Sequence, residues 1–149
     1  MDREKKIIIA ADHRGFAFKE FIKQSYTEID PSIALIDVGA FTDERSDYPV
    51  FVQKAIERMH ENPVDGIILL CGSGNGMALT ANRFKGIFAC VAWNSSVAQA
   101  SKQDDNCNVL VLPADYIQQE EIIEIISSWL RSSFKGGRYA ARLEMVDSF

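Results

Sequence analysis

The sequence predicts an α/β fold: a three-layer sandwich with a five-stranded parallel sheet between helices, and one further helix at the C-terminal end. Three observations carry this. Short apolar runs alternate with longer stretches of helical spacing along the whole chain, and strands joined through helices are parallel with right-handed crossovers. The run Ile67-Ile68-Leu69-Leu70 has no polar interruption, the pattern of a strand buried on both faces. That run stops at Cys71 and opens into Gly72-Ser73-Gly74-Asn75-Gly76 ahead of a helical stretch. Backbone N–H groups at such a turn favour an anion, and the carboxyl edge of an open α/β sheet is where ligands bind.

The elements follow in order. Residues 6–11 are a β-branched first strand ending at Asp12-His13-Arg14-Gly15, and 16–26 form a helix with Phe18, Phe21 and Ile22 on one side. Residues 33–38 are the second strand, after Asp30-Pro31, and 39–47 a polar loop. A helix runs over 48–61, with Pro49 suited to its first turn and Asn62-Pro63 closing it. The central strand and glycine loop lead into a helix over 77–84, then a fourth strand over 86–92. A helix over 95–103 takes Asn94 or Ser95 as its cap, and 109–112 is the fifth strand. An amphipathic helix over 117–130 runs through Ile122, Ile123, Ile126 and Leu130. Gly136-Gly137 interrupts it before a last helix over 138–146. The expected strand order is 2-1-3-4-5, which sets the end of the first strand beside the end of the third.

At 149 residues the chain reads as one domain, 1–149, with a core of its own. Its 47% hydrophobic and 25% charged residues are ordinary for a globular protein. A net charge of -5 excludes a generic nucleic-acid binder. Cys71, Cys90 and Cys107 match neither a zinc spacing nor an even disulfide set, which points to a reducing compartment. The N-terminal stretch Met1-Asp2-Arg3-Glu4-Lys5-Lys6 is charged and lacks the apolar core of a signal peptide. No apolar run approaches membrane-spanning length. A cytoplasmic protein without membrane or nucleic-acid partners is expected.

The glycine loop is not a dinucleotide fingerprint, since Met77 stands where the third glycine belongs and the first strand lacks a glycine turn. It lacks the Gly-Lys-Ser/Thr ending of a Walker loop. A cysteine phosphatase loop needs a closing arginine, where Met77 and Ala78 stand. What remains is a set of N–H groups and the Ser73 hydroxyl, offered to a small oxyanion beside a thiol; the plain alternative is a tight turn with an inert buried cysteine. Asp12 and His13 end the first strand and face the same crevice in the expected strand order, although Asp12 also suits a helix cap. His60 and Cys90 read as a charge at a helix C-terminus and a core residue. Arg131, Lys135, Arg138 and Arg142 make the C-terminal segment basic, and Arg138 and Arg142, four apart, share one helix face. That face is either solvated or a phosphate clamp, the second fitting best if the helix reaches into a neighbour's site.

Five motifs together resemble the ribose-5-phosphate isomerase B family and its galactose-6-phosphate isomerase relatives, over nearly the whole chain. They are Ala11-Asp12-His13-Arg14-Gly15-Phe16, Ser46-Asp47-Tyr48-Pro49, Cys71-Gly72-Ser73-Gly74-Asn75-Gly76 with Ala81-Asn82, Asn108-Val109-Leu110, and Gly136-Gly137-Arg138 followed by Arg142. The resemblance implies a Rossmann-like homodimer, with a tetramer left open. It also implies aldose–ketose isomerisation of a phosphosugar without metal or cofactor, in the pentose phosphate pathway. By position, Cys71 is the base that moves a proton between C1 and C2 through a cis-enediolate, and N–H dipoles at the loop favour its thiolate. Gly72, Ser73, Gly74, Asn75 and Gly76 hold the enediolate oxygen; Asp12, His13 and Tyr48 bind the sugar. Arg138 and Arg142 hold the phosphate, from the partner subunit. Some relatives use a glutamate where Met77 stands here, so the cysteine version applies.

Two departures stand out. Asp104 takes the place of the family's ring-opening histidine and Asp105 that of the following, substrate-binding asparagine. Asp115 takes the place of an arginine after the fifth strand, which sets a carboxylate near a phosphate dianion. Asp104 still suits proton shuttling in ring opening, as a carboxylate; His13 or solvent are the alternatives. The expected substrate pair is ribose 5-phosphate and ribulose 5-phosphate. A six-carbon galactose- or allose-type phosphate and a catalytically silent phosphosugar-binding subunit are the competing readings.

Overall fold

The computed structural model describes residues 3–149; Met1 and Asp2, which open the charged N-terminal stretch, lie outside the described residues. The elements are β1 (Lys5–Ala11), α1 (Phe16–Ile29), β2 (Ile33–Asp37), α2 (Tyr48–Glu61), β3 (Gly66–Cys71) and α3 (Asn75–Ala81), then β4 (Ala89–Val91), α4 (Ser95–Asp105), β5 (Val109–Pro113), α5 (Ile122–Arg131) and α6 (Arg138–Asp147). A short 3₁₀ turn, Gln119–Glu121, leads into α5. Every strand pair is parallel. Strand alternation sends Ile7, Ile9, Ile68, Leu70, Leu110 and Leu112 to one face, where Ile22 of α1, Ala98 of α4, and Ile122, Ile126 and Trp129 of α5 cover them. Ile8, Ala10, Ile67, Leu69, Cys71 and Val111 face the other way, against Val52 and Ile56 of α2 and Met77 of α3. Among the described residues no helix is long and apolar enough to cross a membrane.

The observed strand order is β2-β1-β3-β5-β4, not the expected 2-1-3-4-5. β5 is buried along its whole length and takes the inner position beside β3. β4 spans three residues, two of them only half buried, and so suits an edge. The expected seven-residue strand is cut short because side chains claim its backbone. Asn82 both donates to the Ala89 carbonyl (2.9 Å) and accepts from the Ala89 N–H (2.8 Å). Asn108 Oδ1 accepts from the Phe88 N–H (2.8 Å) and its amide donates to the Gly86 carbonyl. Occupied in this way, the free edge offers little to a foreign strand.

The helices also differ in detail. Asn94 caps α4, its side chain accepting from the Val97 N–H at 2.9 Å. The buried face of α5 is Ile122, Ile125, Ile126 and Trp129, with Ile123 and Leu130 only partly covered. Trp129 takes the innermost place because its Nε1–H finds the Cys107 carbonyl at 2.8 Å. His60 sits exposed in the last turn of α2, and Cys90 packs half-buried against the core.

Candidate active site

β1, β3 and β5 end together at the carboxyl edge, where Ala11 pairs with Leu70 and Cys71 with Pro113. Cys71 is the last residue of β3 and only 5% exposed. Past it the chain turns at Gly74, whose φ of +81° a side chain would resist. The turn brings the N–H groups of Met77 and Gly74 near enough to the Cys71 sulfur to favour its thiolate. Burial nevertheless dominates and pushes the thiol up from its ordinary value; the two N–H groups and the Arg14 charge pull the other way, while Asp12 adds to the rise. The expectation that N–H dipoles lower this thiol is thus corrected: they act, and burial outweighs them. Ser73 lies exposed at the tip of the loop, its hydroxyl accepting from the Asn75 N–H at 3.2 Å.

Two residues just past the end of β1 adjoin the end of β3 that carries Cys71, the Asp12 N–H donating to the Leu70 carbonyl at 3.2 Å. Asp12 is 4% exposed, and its Oδ1 accepts from the N–H groups of Arg14 (3.0 Å) and Gly15 (3.2 Å). Its capping and crevice positions therefore coincide. His13 exchanges two bonds with Ser46: its N–H donates to Ser46 Oγ (3.1 Å), and its Nδ1 accepts from the Ser46 N–H (3.2 Å). With Nδ1 an acceptor, the neutral imidazole carries its proton on Nε2. The loop bearing Ser46 is itself tied to the end of β1, through Ala11 N–H to the Gly39 carbonyl and Ala40 N–H to the Ala11 carbonyl. Tyr48, at the start of α2, lays its ring against Gly76: a methyl group there would fall 2.6 Å from Cζ, so only glycine fits.

Asp104, Asp105, Arg138 and Arg142 are not in this crevice. α4 runs back from the carboxyl edge, and Asn108, just beyond it, accepts from the Ile67 N–H at the start of β3. Asp104 and Asp105 thus sit at the amino edge, across roughly 16 Å of strand from Cys71. Asp104 pairs with Lys135 at 3.0 Å, and Lys135 N–H donates to the Gln103 carbonyl. Partial burial, together with the Asp104 charge, pushes the Asp105 carboxyl up. The guanidinium groups of Arg138 and Arg142 stand 5.3 and 5.4 Å from the Tyr139 ring centre, exposed on α6. The two halves of the candidate site therefore lie at opposite edges of one subunit.

One feature of the crevice escapes the sequence reading. Asp115, after β5, pairs with Arg14, after β1, at 2.7 Å. The Asp115 N–H also donates to the Gly72 carbonyl at 2.9 Å. The available signal was a pair of opposite charges just beyond two strands that flank β3. Pairing them needed the observed strand order, since β5 rather than β4 borders β3. Ser46 was likewise visible only as part of a motif.

A family model described as Ribose/Galactose Isomerase matches residues 7–146. The ribose-5-phosphate isomerase B of Escherichia coli K12 is 35% identical, over 95% of this chain and 94% of the relative. The crystal structure of a ribose 5-phosphate isomerase from Thermotoga maritima superposes with a TM-score of 0.91 at 35% identity, covering 97% of this chain and 99% of that one. The ribose-5-phosphate isomerase B of Mycoplasma genitalium, solved with bound ribulose-5-phosphate, superposes with a TM-score of 0.89 at 30% identity, covering 99% and 97%.

Proposed function

The chain belongs to the ribose/galactose isomerase family, and on that premise we propose that it interconverts ribose 5-phosphate and ribulose 5-phosphate. The observation that carries this is Cys71 itself, buried at the carboxyl end of β3 at the base of the glycine loop, with Asp12 and His13 just past the adjoining end of β1. The open-chain aldose sets its C2 hydrogen against the Cys71 thiolate, which takes it as a proton. The electron pair moves into a C1–C2 double bond, giving the cis-enediolate. The thiol then returns the proton to C1, and the hydroxyl protons rearrange to leave the carbonyl at C2. N–H groups of the Gly72 to Gly76 loop and the His13 Nε2–H stabilise the oxygen charge, a contribution of roughly 3 kcal/mol per well-placed donor. Asp12 and Tyr48 orient the sugar chain.

The phosphate and the ring also draw on residues that lie elsewhere in the fold. The basic cluster on α6 and the Asp104 carboxylate lie at the amino edge, so they complete a crevice only in a second copy of the chain. A homodimer in which each carboxyl-edge crevice receives the partner subunit's Arg138, Arg142, Asp104 and Asp105 accounts for both groups. Asp104 of the partner subunit, steadied by its Lys135, moves the ring hydroxyl proton as the furanose opens. The assignment is tested by comparing kcat/KM for ribose 5-phosphate, galactose 6-phosphate and allose 6-phosphate without added metal. Ribose 5-phosphate is expected to lead by about tenfold or more, since one extra carbon with its hydroxyl must find room and partners. A six-carbon phosphate turned over faster would overturn the substrate assignment while leaving the reaction class.

A further inference from the structure

The ion pair between Arg14 and Asp115 stands directly over the anion-receiving loop, and the proton-transfer steps leave it unused. A methyl group on Gly72 would lie 2.7 Å from Asp115 Oδ2 and 2.9 Å from both Cζ and Nη1 of Arg14. Arg14 Nη2 holds Asp115 Oδ2 at 2.7 Å, which ties down one nitrogen of the guanidinium. The Arg14 side chain remains 59% exposed, and Asp115 41%, so both open to the crevice mouth rather than into the core. Arg14 leaves the end of β1 directly beside His13, and its charge acts on the Cys71 sulfur.

We propose that Arg14 is a substrate-binding residue that receives the phosphate of the phosphosugar, and that Asp115 is its internal competitor, setting how strongly the site holds that anion. This rests on the isomerase reading for the identity of the substrate, and not for the anion site itself. A guanidinium offers five donors in a planar fork and binds phosphate by two parallel bonds. Here a carboxylate already takes part of that fork. An arriving dianion must share Arg14 with Asp115 or displace it, with the carboxylate repelling it at close range. Asp115 thus lowers affinity through Arg14 specifically, beyond the general effect of one more negative charge. The same pair keeps the guanidinium over Gly72 when no anion is present, so Arg14 is held ready rather than loose in solvent. The cation that the family resemblance leads one to seek after β5 is supplied here from the end of β1.

The test is a double-mutant cycle of Arg14→Gln, Asp115→Asn and the double variant in the full chain. Two quantities are read: the dissociation constant of inorganic phosphate, and KM and kcat for ribose 5-phosphate. Asparagine keeps an acceptor for the guanidinium and removes the charge. Arg14→Gln is expected to weaken phosphate about tenfold and raise KM similarly, with a smaller change in kcat, the scale of one lost charge-assisted contact. Asp115→Asn is expected to tighten phosphate about threefold, and by clearly less when Arg14 is already glutamine, where only the direct repulsion is relieved. Unchanged phosphate affinity in Arg14→Gln overturns the proposal. So does an equal tightening by Asp115→Asn in both backgrounds, which is simple charge repulsion. Phosphate binding is read without turnover, so an absent isomerase rate counts against the reaction and not against the anion site.

Discussion

Replacing Cys71 with alanine is expected to lower kcat for ribose 5-phosphate by about 10³-fold or more, within the range of a lost general base, with KM changed far less. The sulfur is the one group at the end of β3 that can carry the proton between adjacent carbons. Its 5% exposure keeps water from standing in for it efficiently. The substitution removes one buried atom against Met77 and the sheet, a modest volume change, so the fold should persist and circular dichroism should match wild type. Cys71→Ser is the sharper control, because a hydroxyl keeps the shape while its acidity falls far below that of a thiol. Equal losses in both variants identify proton transfer rather than packing. The pH profile adds a second reading. Burial raises the thiol, so the thiolate fraction in the free protein grows with pH. In wild type kcat/KM should therefore climb as pH rises through neutrality and fall about tenfold per unit on the acid side. That limb should vanish in Cys71→Ala.

Mixing two inactive variants is expected to restore activity. In a symmetric dimer whose crevices each combine Cys71 of one subunit with Arg142 of the other, a heterodimer of Cys71→Ala and Arg142→Ala chains contains one crevice with both residues intact. Random pairing makes half the dimers mixed, each with one of two sites working, so about a quarter of wild-type activity should return. Refolding the variants together, or producing them together, supplies the exchange. The expectation follows from the placement of the groups: Cys71 ends β3 at the carboxyl edge, while α6 and the end of α4 lie at the amino edge. No restored activity in a demonstrated heterodimer would mean that each subunit uses its own arginine, or none.

Much of this architecture was legible because it is local. The alternation of apolar runs with helical spacing gave every strand and helix, and the glycine loop after Cys71 is continuous in sequence. The strand order was not local. Residues 86–92 and 109–112 both read as buried strands, and only the Asn82 and Asn108 side chains, bonding to the backbone around Phe88 and Ala89, show why the first becomes a short edge. The acidity of Cys71 was half legible. The loop N–H groups follow from the motif, whereas the covering by Met77 and the neighbouring helices is tertiary and reverses the sign. Asp115 as a departure was visible, but its partner was not, because Arg14 meets it across the end of β3. The division of the candidate site between two edges needed the direction of α4, which a list of motifs does not contain.

The most direct measurement is conversion of ribose 5-phosphate by the wild-type chain in deuterium oxide, without added metal, followed by proton NMR. Formation of ribulose 5-phosphate is expected, with deuterium accumulating at C1 over repeated turnovers, because a fraction of the protons held on the 5% exposed Cys71 sulfur exchanges with solvent before being returned. Absence of any ketose from a folded, dimeric protein, or a ketose that still carries no deuterium at C1 after many turnovers at equilibrium, would contradict proton transfer through an enediolate at this site.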